Sequence, residues 1–218
     1  MSAPLVSIII PTYNHQDYVG EAIQSVLAQS YQNYEIIVID DGSQDNTREV
    51  VEKFGDLISY IWQENKGLSG ARNTGIKYST GKYISLLDSD DMFEPDFLDI
   101  LIQILEEKNN IDAVYCSART VNHDNLPLPQ IIGKSLSPEL FHATLLKGGF
   151  FPPSCMVAHA YCYKSKKLFF DESRHRVEDL DLWLKFALLY KVLGTDHTLV
   201  RYRILPQSLS ANGSLTGT

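Results

Sequence analysis

The chain of 218 residues has few cysteines, no excess of basic residues and no long apolar run. Its three cysteines (Cys116, Cys155 and Cys162) lack C-x-x-C spacing, which predicts free thiols in a reducing compartment. The net charge of −8 argues against nucleic acid as the main partner, because binding to a phosphate backbone requires a basic surface. No apolar stretch approaches the ~20 residues that span a bilayer, and no signal peptide is visible. We therefore expect a cytoplasmic protein.

The six histidines form no H-x-x-x-H pair or related metal-ligand spacing, which indicates ordinary surface or core residues. Hydrophobic residues make up 44% of the chain and charged residues 21%, values that are ordinary for a globular domain. The small, polar residues 211–218 are expected to form a tail or linker.

The first half of the chain alternates apolar strands with helical stripes. Strands are expected at about 5–10, 35–39, 58–62, 83–87 and 113–116, with helices between them. Near-continuous apolar strands separated by helices predict an α/β fold with a mostly parallel central sheet flanked by helices.

The second half is less regular. We expect a long loop at 119–136, because Pro127 and Pro129 interrupt any strand there, then a short helix at 138–147 and a late strand at 198–205. A further helix is expected to begin at Glu178-Asp179. Its predicted buried face contains Leu180, Trp183, Leu184, Ala187 and Leu188.

Unusual polar residues follow four of the predicted strands. They are Thr12-Tyr13-Asn14, Asp40-Asp41, Asn65-Lys66 and Asp88-Ser89-Asp90. In open parallel sheets, ligands bind outside the carboxyl ends of the strands. These groups are therefore expected to converge on one crevice.

The most informative of these segments is Asp88-Ser89-Asp90-Asp91, with three carboxylates in four positions after a buried strand. Two like charges ~4 Å apart repel by roughly 4 kcal/mol at an effective dielectric of ~20. A divalent cation held partly by substrate phosphates removes that cost. The alternative is a solvated acidic turn that caps the next helix.

The remaining motifs also have alternatives. An Asp in Asp40-Asp41-Gly42-Ser43 can accept hydrogen bonds from a base or ribose, although a turn explains the same residues. The glycine-rich segment from Asn65 to Gly75 allows close backbone approach to an anion near Lys66 and Arg72, although a surface loop explains it too. Glu178-Asp179 is the best candidate for a general base, although acidic residues also favour helix N-termini.

Together these motifs resemble the family 2 inverting nucleotide-sugar glycosyltransferases with the GT-A fold, over about residues 6–210. The segments that carry the resemblance are Val6–Asn14, Ile39–Ser43, Asn65-Lys66-Gly67 with Ala71-Arg72-Asn73, Asp88-Ser89-Asp90, and Glu178–Trp183. The resemblance implies a nucleotide-sugar-binding half at 1–118 and an acceptor-binding half, with the catalytic base, at 119–210 of the same domain.

The resemblance also implies roles for individual residues. Asp179, beside Glu178, is the expected catalytic base. Asp90 is the expected ligand of Mn²⁺ or Mg²⁺, with Asp88 beside it. The expected nucleotide-sugar-binding residues are Pro11, Thr12, Tyr13, Asp41, Lys66, Gly67, Arg72, Asp88, Ser89 and Asp90. Tyr202-Arg203 and Ser208-Leu209-Ser210 match the family's late segment, which can approach the diphosphate.

The implied reaction transfers a single sugar from a UDP-sugar to a saccharide or a lipid-linked saccharide, because the Gln-x-x-Arg-Trp signature of processive synthases is absent. Peripheral association with the inner face of the cell membrane is compatible with this resemblance. Two alternatives remain: a catalytically silent protein that binds a nucleotide sugar, and a receiver-like phosphorylation domain suggested by Asp40-Asp41.

Overall fold

The computed structural model describes residues 3–147, 151–165, 168–174 and 177–205. Within these ranges the chain forms nine β-strands and seven α-helices, together with 3₁₀ turns at Gly55–Leu57 and Pro153–Cys155. The elements in chain order are β1 (Val6–Thr12), α1 (Val19–Leu27), β2 (Tyr34–Asp40), α2 (Thr47–Glu52), β3 (Ser59–Trp62), α3 (Gly67–Tyr78), β4 (Tyr83–Leu86), β5 (Met92–Phe93), α4 (Phe97–Glu107), β6 (Ala113–Val121), β7 (Pro127–Ile132), α5 (Pro138–Leu146), β8 (Met156–His159), α6 (Ala160–Lys164), α7 (Glu178–Leu189) and β9 (Val192–Arg203).

The first four long strands form a parallel sheet in the order β3-β2-β1-β4. Ile8 of β1, for example, pairs with Ile36 of β2 and with Ser85 of β4. Every residue of β1 is buried. Since successive side chains of a strand point to opposite faces, both faces of the sheet are covered there. The α/β prediction for this half is confirmed.

Beyond β4 the sheet becomes mixed. Strand β8 lies antiparallel between β4 and β6, β9 runs parallel to β6, and β5 pairs antiparallel with β9. Parallel pairing therefore holds for β1 to β4 and for β6 with β9. Strand β6 runs continuously across residue 118, so the two predicted halves share one sheet.

The loop predicted at 119–136 is wrong, because this segment contains a β-hairpin. Strand β6 extends to Val121, and β7 pairs with it through Ala118–Ile132 and Arg119–Ile131. Both prolines lie in β7, which pairs only with β6 and is mostly exposed. Proline is tolerated there because an edge strand does not need every backbone N–H.

Helix α7 has the predicted start, but its buried face differs from the prediction. Leu182, Trp183 and Phe186 are buried, whereas Leu188 is 69% exposed. The helix is apolar on several sides, so periodicity alone did not identify the face that packs against the core. None of the helices in the described part of the chain has both the length and the apolar character to cross a bilayer.

Candidate active site

The ends of β1, β2 and β3 meet at the residue Asp41, which is 2% exposed. Its backbone N–H donates to the carbonyl oxygen of Thr12 at 2.9 Å. Its Oδ1 accepts hydrogen bonds from the backbone N–H of Lys66 at 2.9 Å and from the Gln63 side chain at 2.6 Å. Asp41 is therefore held between the strand ends and the start of α3.

Gly67, the first residue of α3, has a φ of +75°, which only glycine adopts without strain. A cavity of about 200 Å³ adjoins this end of the helix. It is lined by Lys66, Gly67, Leu68, Ser69, Glu172, Arg174 and Glu178. Gly67 at the start of α3 and Glu178 at the start of α7 therefore line the same cavity.

Residues 88–91 form a turn directly after β4, closed by a hydrogen bond from the Asp91 N–H to the Asp88 carbonyl oxygen at 2.9 Å. The Ser154 hydroxyl accepts from the Asp88 N–H at 3.1 Å and donates to the buried Asp91 carboxylate at 2.6 Å. Ser89 bonds to the imidazole Nδ1 of His15 at 2.7 Å. The turn is therefore held by its own backbone bond, by Ser154 and by His15.

One buried arginine joins this turn to α7. The guanidinium of Arg72 donates to Asp88 at 2.6 Å and to Glu178 at 3.2 Å, and it lies 5.1 Å from the centre of the Phe170 ring. Burial alone would lower the pKa of Arg72, but the two carboxylates outweigh it and raise that pKa. The arginine therefore stays charged.

Asp179 follows Glu178 in the first turn of α7. Burial raises the pKa of Asp179; the nearby Arg72 opposes this shift, and the Glu178 carboxylate adds to it. Val177, directly before the helix, has a φ of 56°, a strained conformation for a β-branched residue. A partly desolvated carboxylate with a raised pKa at a strained helix start has the properties of a general base.

The structure gathers most of the predicted residues. Asp41, Lys66 and Gly67 lie at the ends of β2 and β3, and Arg72 links Asp88 to Glu178. The predicted residues Ser89, Asp90 and Asp179 lie within two positions of Asp88 or Glu178 in sequence, and Thr12 accepts a hydrogen bond from the Asp41 N–H. Pro11 is buried within β1, and Tyr13, directly after the end of β1, is 44% exposed.

Arg203, which the resemblance places near the diphosphate, lies inside the protein. Its side chain is buried, and its guanidinium bonds to the carbonyl oxygens of Asp90 and His123 and to the carboxylate of Glu21. These bonds use all three nitrogens of the Arg203 guanidinium. The Ser208-Leu209-Ser210 match lies outside the described residues.

Sequence reasoning missed the residues that support the site. Ser154 follows two prolines in a short turn, and nothing in its local sequence marks it as a partner of Asp88 and Asp91. His15 was assigned no role, yet it holds Ser89. Gln63, which donates to Asp41, is also not among the predicted residues.

The acidic turn fits a divalent cation that is shared with a substrate. The Asp90 carboxylate bonds to its own backbone N–H, and burial together with the Asp88 charge raises its pKa. No cluster of three or more His, Cys, Asp or Glu side chains in the described ranges is arranged to hold a metal ion by itself. One or two carboxylates completed by phosphate oxygens are typical of magnesium sites.

The sequence of this chain matches the family model described as glycosyl transferase family 2 over residues 7–164. The chain belongs to this family. It is 34% identical to the glucosyltransferase WfgD of Escherichia coli over 215 residues, which cover 95% of this chain and 80% of WfgD. A glycosyltransferase of Rickettsia prowazekii is 37% identical over 213 residues, 93% of this chain and 64% of that protein.

Solved structures show the same fold. S. aureus TarS in complex with UDP superposes with a TM-score of 0.78 at 22% identity, covering 92% of this chain and 61% of the TarS chain. A Pyrobaculum calidifontis mannosyltransferase in complex with GDP-Man and Mn²⁺ superposes with a TM-score of 0.72 at 19% identity, covering 97% of this chain and 60% of that one. The GT-A fold is therefore confirmed. The chain spans 64% of the length of its Rickettsia relative.

Proposed function

We propose that this family 2 domain transfers one sugar from a UDP-sugar to a hydroxyl group of a saccharide acceptor, with inversion. The observation that carries the proposal is the Arg72 bridge, because it brings the acidic turn and the catalytic helix to one place. WfgD, by its name, uses UDP-Glc and a GlcNAc-diphosphoundecaprenol acceptor, and TuaG of Bacillus subtilis is named for teichuronic acid biosynthesis. These names favour a lipid-linked acceptor and a role in cell-envelope polysaccharide synthesis.

In this mechanism Asp41 accepts a hydrogen bond from the base of the donor, and Asp88 lies at the ribose. Asp179 removes the proton of the acceptor hydroxyl as its oxygen attacks the anomeric carbon. Glu178 is already bonded to Arg72, which leaves Asp179 as the carboxylate available for this step. A single base suffices because the leaving group is a diphosphate, unlike the alcohol that leaves in glycoside hydrolysis.

Asp90, with Asp88 beside it, is the residue that would hold Mn²⁺ or Mg²⁺. When bound, the ion supplies Lewis-acid stabilisation of the departing diphosphate. Lys66, exposed at the start of α3, adds positive charge at the edge of the same cavity.

The proposal is tested by screening UDP-sugars for thermal stabilisation with and without Mn²⁺, then measuring metal-dependent hydrolysis or transfer with the best donor. Asp179→Asn should lower turnover by about 10²–10⁴-fold, the usual contribution of a general base, and leave donor affinity nearly unchanged. Asp90→Ala should abolish the metal-dependent part of donor binding.

Asp181→Asn is the matched control, because Asp181 lies on the same helix but pairs with Lys185 at 2.6 Å. It should keep full turnover. Wild-type turnover in Asp179→Asn would reject the assigned base. Donor binding without any turnover of the wild-type chain would favour the alternative of a catalytically silent donor-binding protein.

A further inference from the structure

Arg203, the last residue of β9, lies inside the protein against the acidic turn at 88–91. Its exposed fraction is 2%. Its Nε donates to the carbonyl oxygen of Asp90 at 2.9 Å, and its backbone N–H donates to the Asp91 carboxylate at 3.0 Å. One residue therefore holds two consecutive members of the turn, one through its side chain and one through its backbone.

The rest of the guanidinium is fixed by contacts on its other sides. Nη1 donates to the carbonyl oxygen of His123, and Nη2 donates to the carboxylate of Glu21 on α1. The guanidinium carbon also lies 4.9 Å from the centre of the Tyr18 ring, within the range of a cation–π contact. Every nitrogen of the guanidinium has a partner, so the side chain has little freedom to move.

The carboxylate of Asp90 depends on its backbone for its direction. It bonds to the backbone N–H of Asp90 itself, whereas the carboxylate of Asp88 is held by Arg72 and that of Asp91 by Ser154. The position of the Asp90 side chain is therefore set by the peptide groups around it. Arg203 bonds directly to one of those groups, the Asp90 carbonyl.

We infer that Arg203 is a positioning residue for the metal-binding carboxylate of Asp90. This inference rests on the proposed function, in which Asp90 binds the divalent ion. Arg203 acts through the Asp90 carbonyl and the Asp91 carboxylate, to which it is bonded. Loss of partners that orient a metal ligand typically weakens metal affinity by about 10–100-fold.

The test replaces Arg203 by lysine and uses Arg201→Lys as the matched control. Arg201 lies two residues earlier on β9 and makes two bonds to Glu94, at 2.8 and 2.9 Å. Mn²⁺ affinity is measured from free Mn²⁺ by electron paramagnetic resonance in the presence of UDP. UDP affinity without metal is measured calorimetrically in EDTA.

We expect Arg203→Lys to weaken Mn²⁺ binding by about 10–100-fold, because lysine cannot reproduce the forked contacts. UDP binding in EDTA should stay unchanged, and Arg201→Lys should leave both affinities unchanged. If Arg203→Lys binds Mn²⁺ as tightly as the wild type, or if Arg201→Lys loses as much, the inference is overturned. A purely structural role would lower thermal stability without changing the Mn²⁺ affinity of the folded protein.

Glu21→Gln provides a second variant in case the lysine variant does not fold. Glu21 is half exposed, and its replacement loosens one end of Arg203 while leaving the Asp90 contact in place. It should weaken Mn²⁺ binding by less than Arg203→Lys does, and an unchanged affinity would count against the inference.

Hydrogen exchange of the backbone amides at 89–91 separates the inference from the proposed function. If the wild-type chain binds no Mn²⁺, the metal role of Asp90 fails. The exchange rates then decide whether Arg203 orders the turn. Faster exchange in the folded Arg203 or Glu21 variant supports the positioning role, and unchanged rates in both overturn it.

Discussion

Replacing Arg72 tests whether one buried cation holds the two acidic segments of the site together. The guanidinium is 2% exposed, and the side chains of its partners Asp88 and Glu178 are 21% and 12% exposed. Removing one member of a buried ion pair leaves an uncompensated charge and typically costs about 3–5 kcal/mol. Arg72→Met is expected to lower the free energy of unfolding by an amount of this order.

Arg72→Lys refines the test. Lysine keeps the charge but lacks the planar fork, so it cannot bond to both carboxylates in the arginine geometry. Loss of one hydrogen bond to a charged group predicts a destabilisation of about 1.5–3 kcal/mol. The lysine variant should therefore lie between the wild type and Arg72→Met.

Urea denaturation followed by circular dichroism gives the free energies by linear extrapolation. Arg48→Met is the control, because Arg48 pairs with Glu52 on the exposed surface of α2 at a similar distance of 2.7 Å. Its unfolding midpoint should not change. If Arg72→Met is as stable as the wild type, the two carboxylates do not depend on the guanidinium, and the reasoning fails.

Two further predictions concern pH and packing. Turnover should fall as the pH drops through the raised pKa of Asp179, because only the deprotonated carboxylate accepts a proton. If the pH–rate profile instead falls only near the ordinary Asp pKa of about 3.9, this prediction is contradicted. Gly75→Ala should lower the free energy of unfolding by about 1–3 kcal/mol, because its Cβ would lie close to Ile9. The distance from this Cβ to Ile9 Cγ2 would be 2.1 Å. Gly20→Ala is the control, because the nearest atom to its Cβ, on Val50, would be 3.3 Å away. Thermal melting should show a lower melting temperature for Gly75→Ala than for Gly20→Ala.

The part of the site that could be predicted from sequence is the part built by local patterns. Strands β1 to β4 are short apolar runs, and parallel pairing brings their carboxyl ends together whatever the rest of the chain does. The environment of Asp41 follows from this pairing, because Thr12, Gln63 and Lys66 all lie at strand ends or just beyond.

The support for the acidic turn could not be predicted in the same way. Ser154 and Arg203 are 63 and 112 residues from Asp91 in sequence, and they reach it only because β8 and β9 join the mixed part of the sheet. No local pattern encodes that pairing. The hairpin at β7 was missed for a different reason, since proline normally argues against a strand and is tolerated here only at an edge.

The charges of the site lead us to predict that binding of the donor's diphosphate depends on a cation. Asp88 and Glu178 share the charge of Arg72, while Arg203 is bonded to Glu21, so both arginine charges are already balanced by carboxylates. Burial raises the pKa of Asp90, and so does the neighbouring Asp88 carboxylate. A diphosphate placed against this turn would add negative charge beside the carboxylates of Asp90 and Asp91. Asp90 would hold a divalent ion here, and the ion would supply the positive charge that the carboxylates and the phosphates both need, which leads us to predict strongly metal-dependent donor binding.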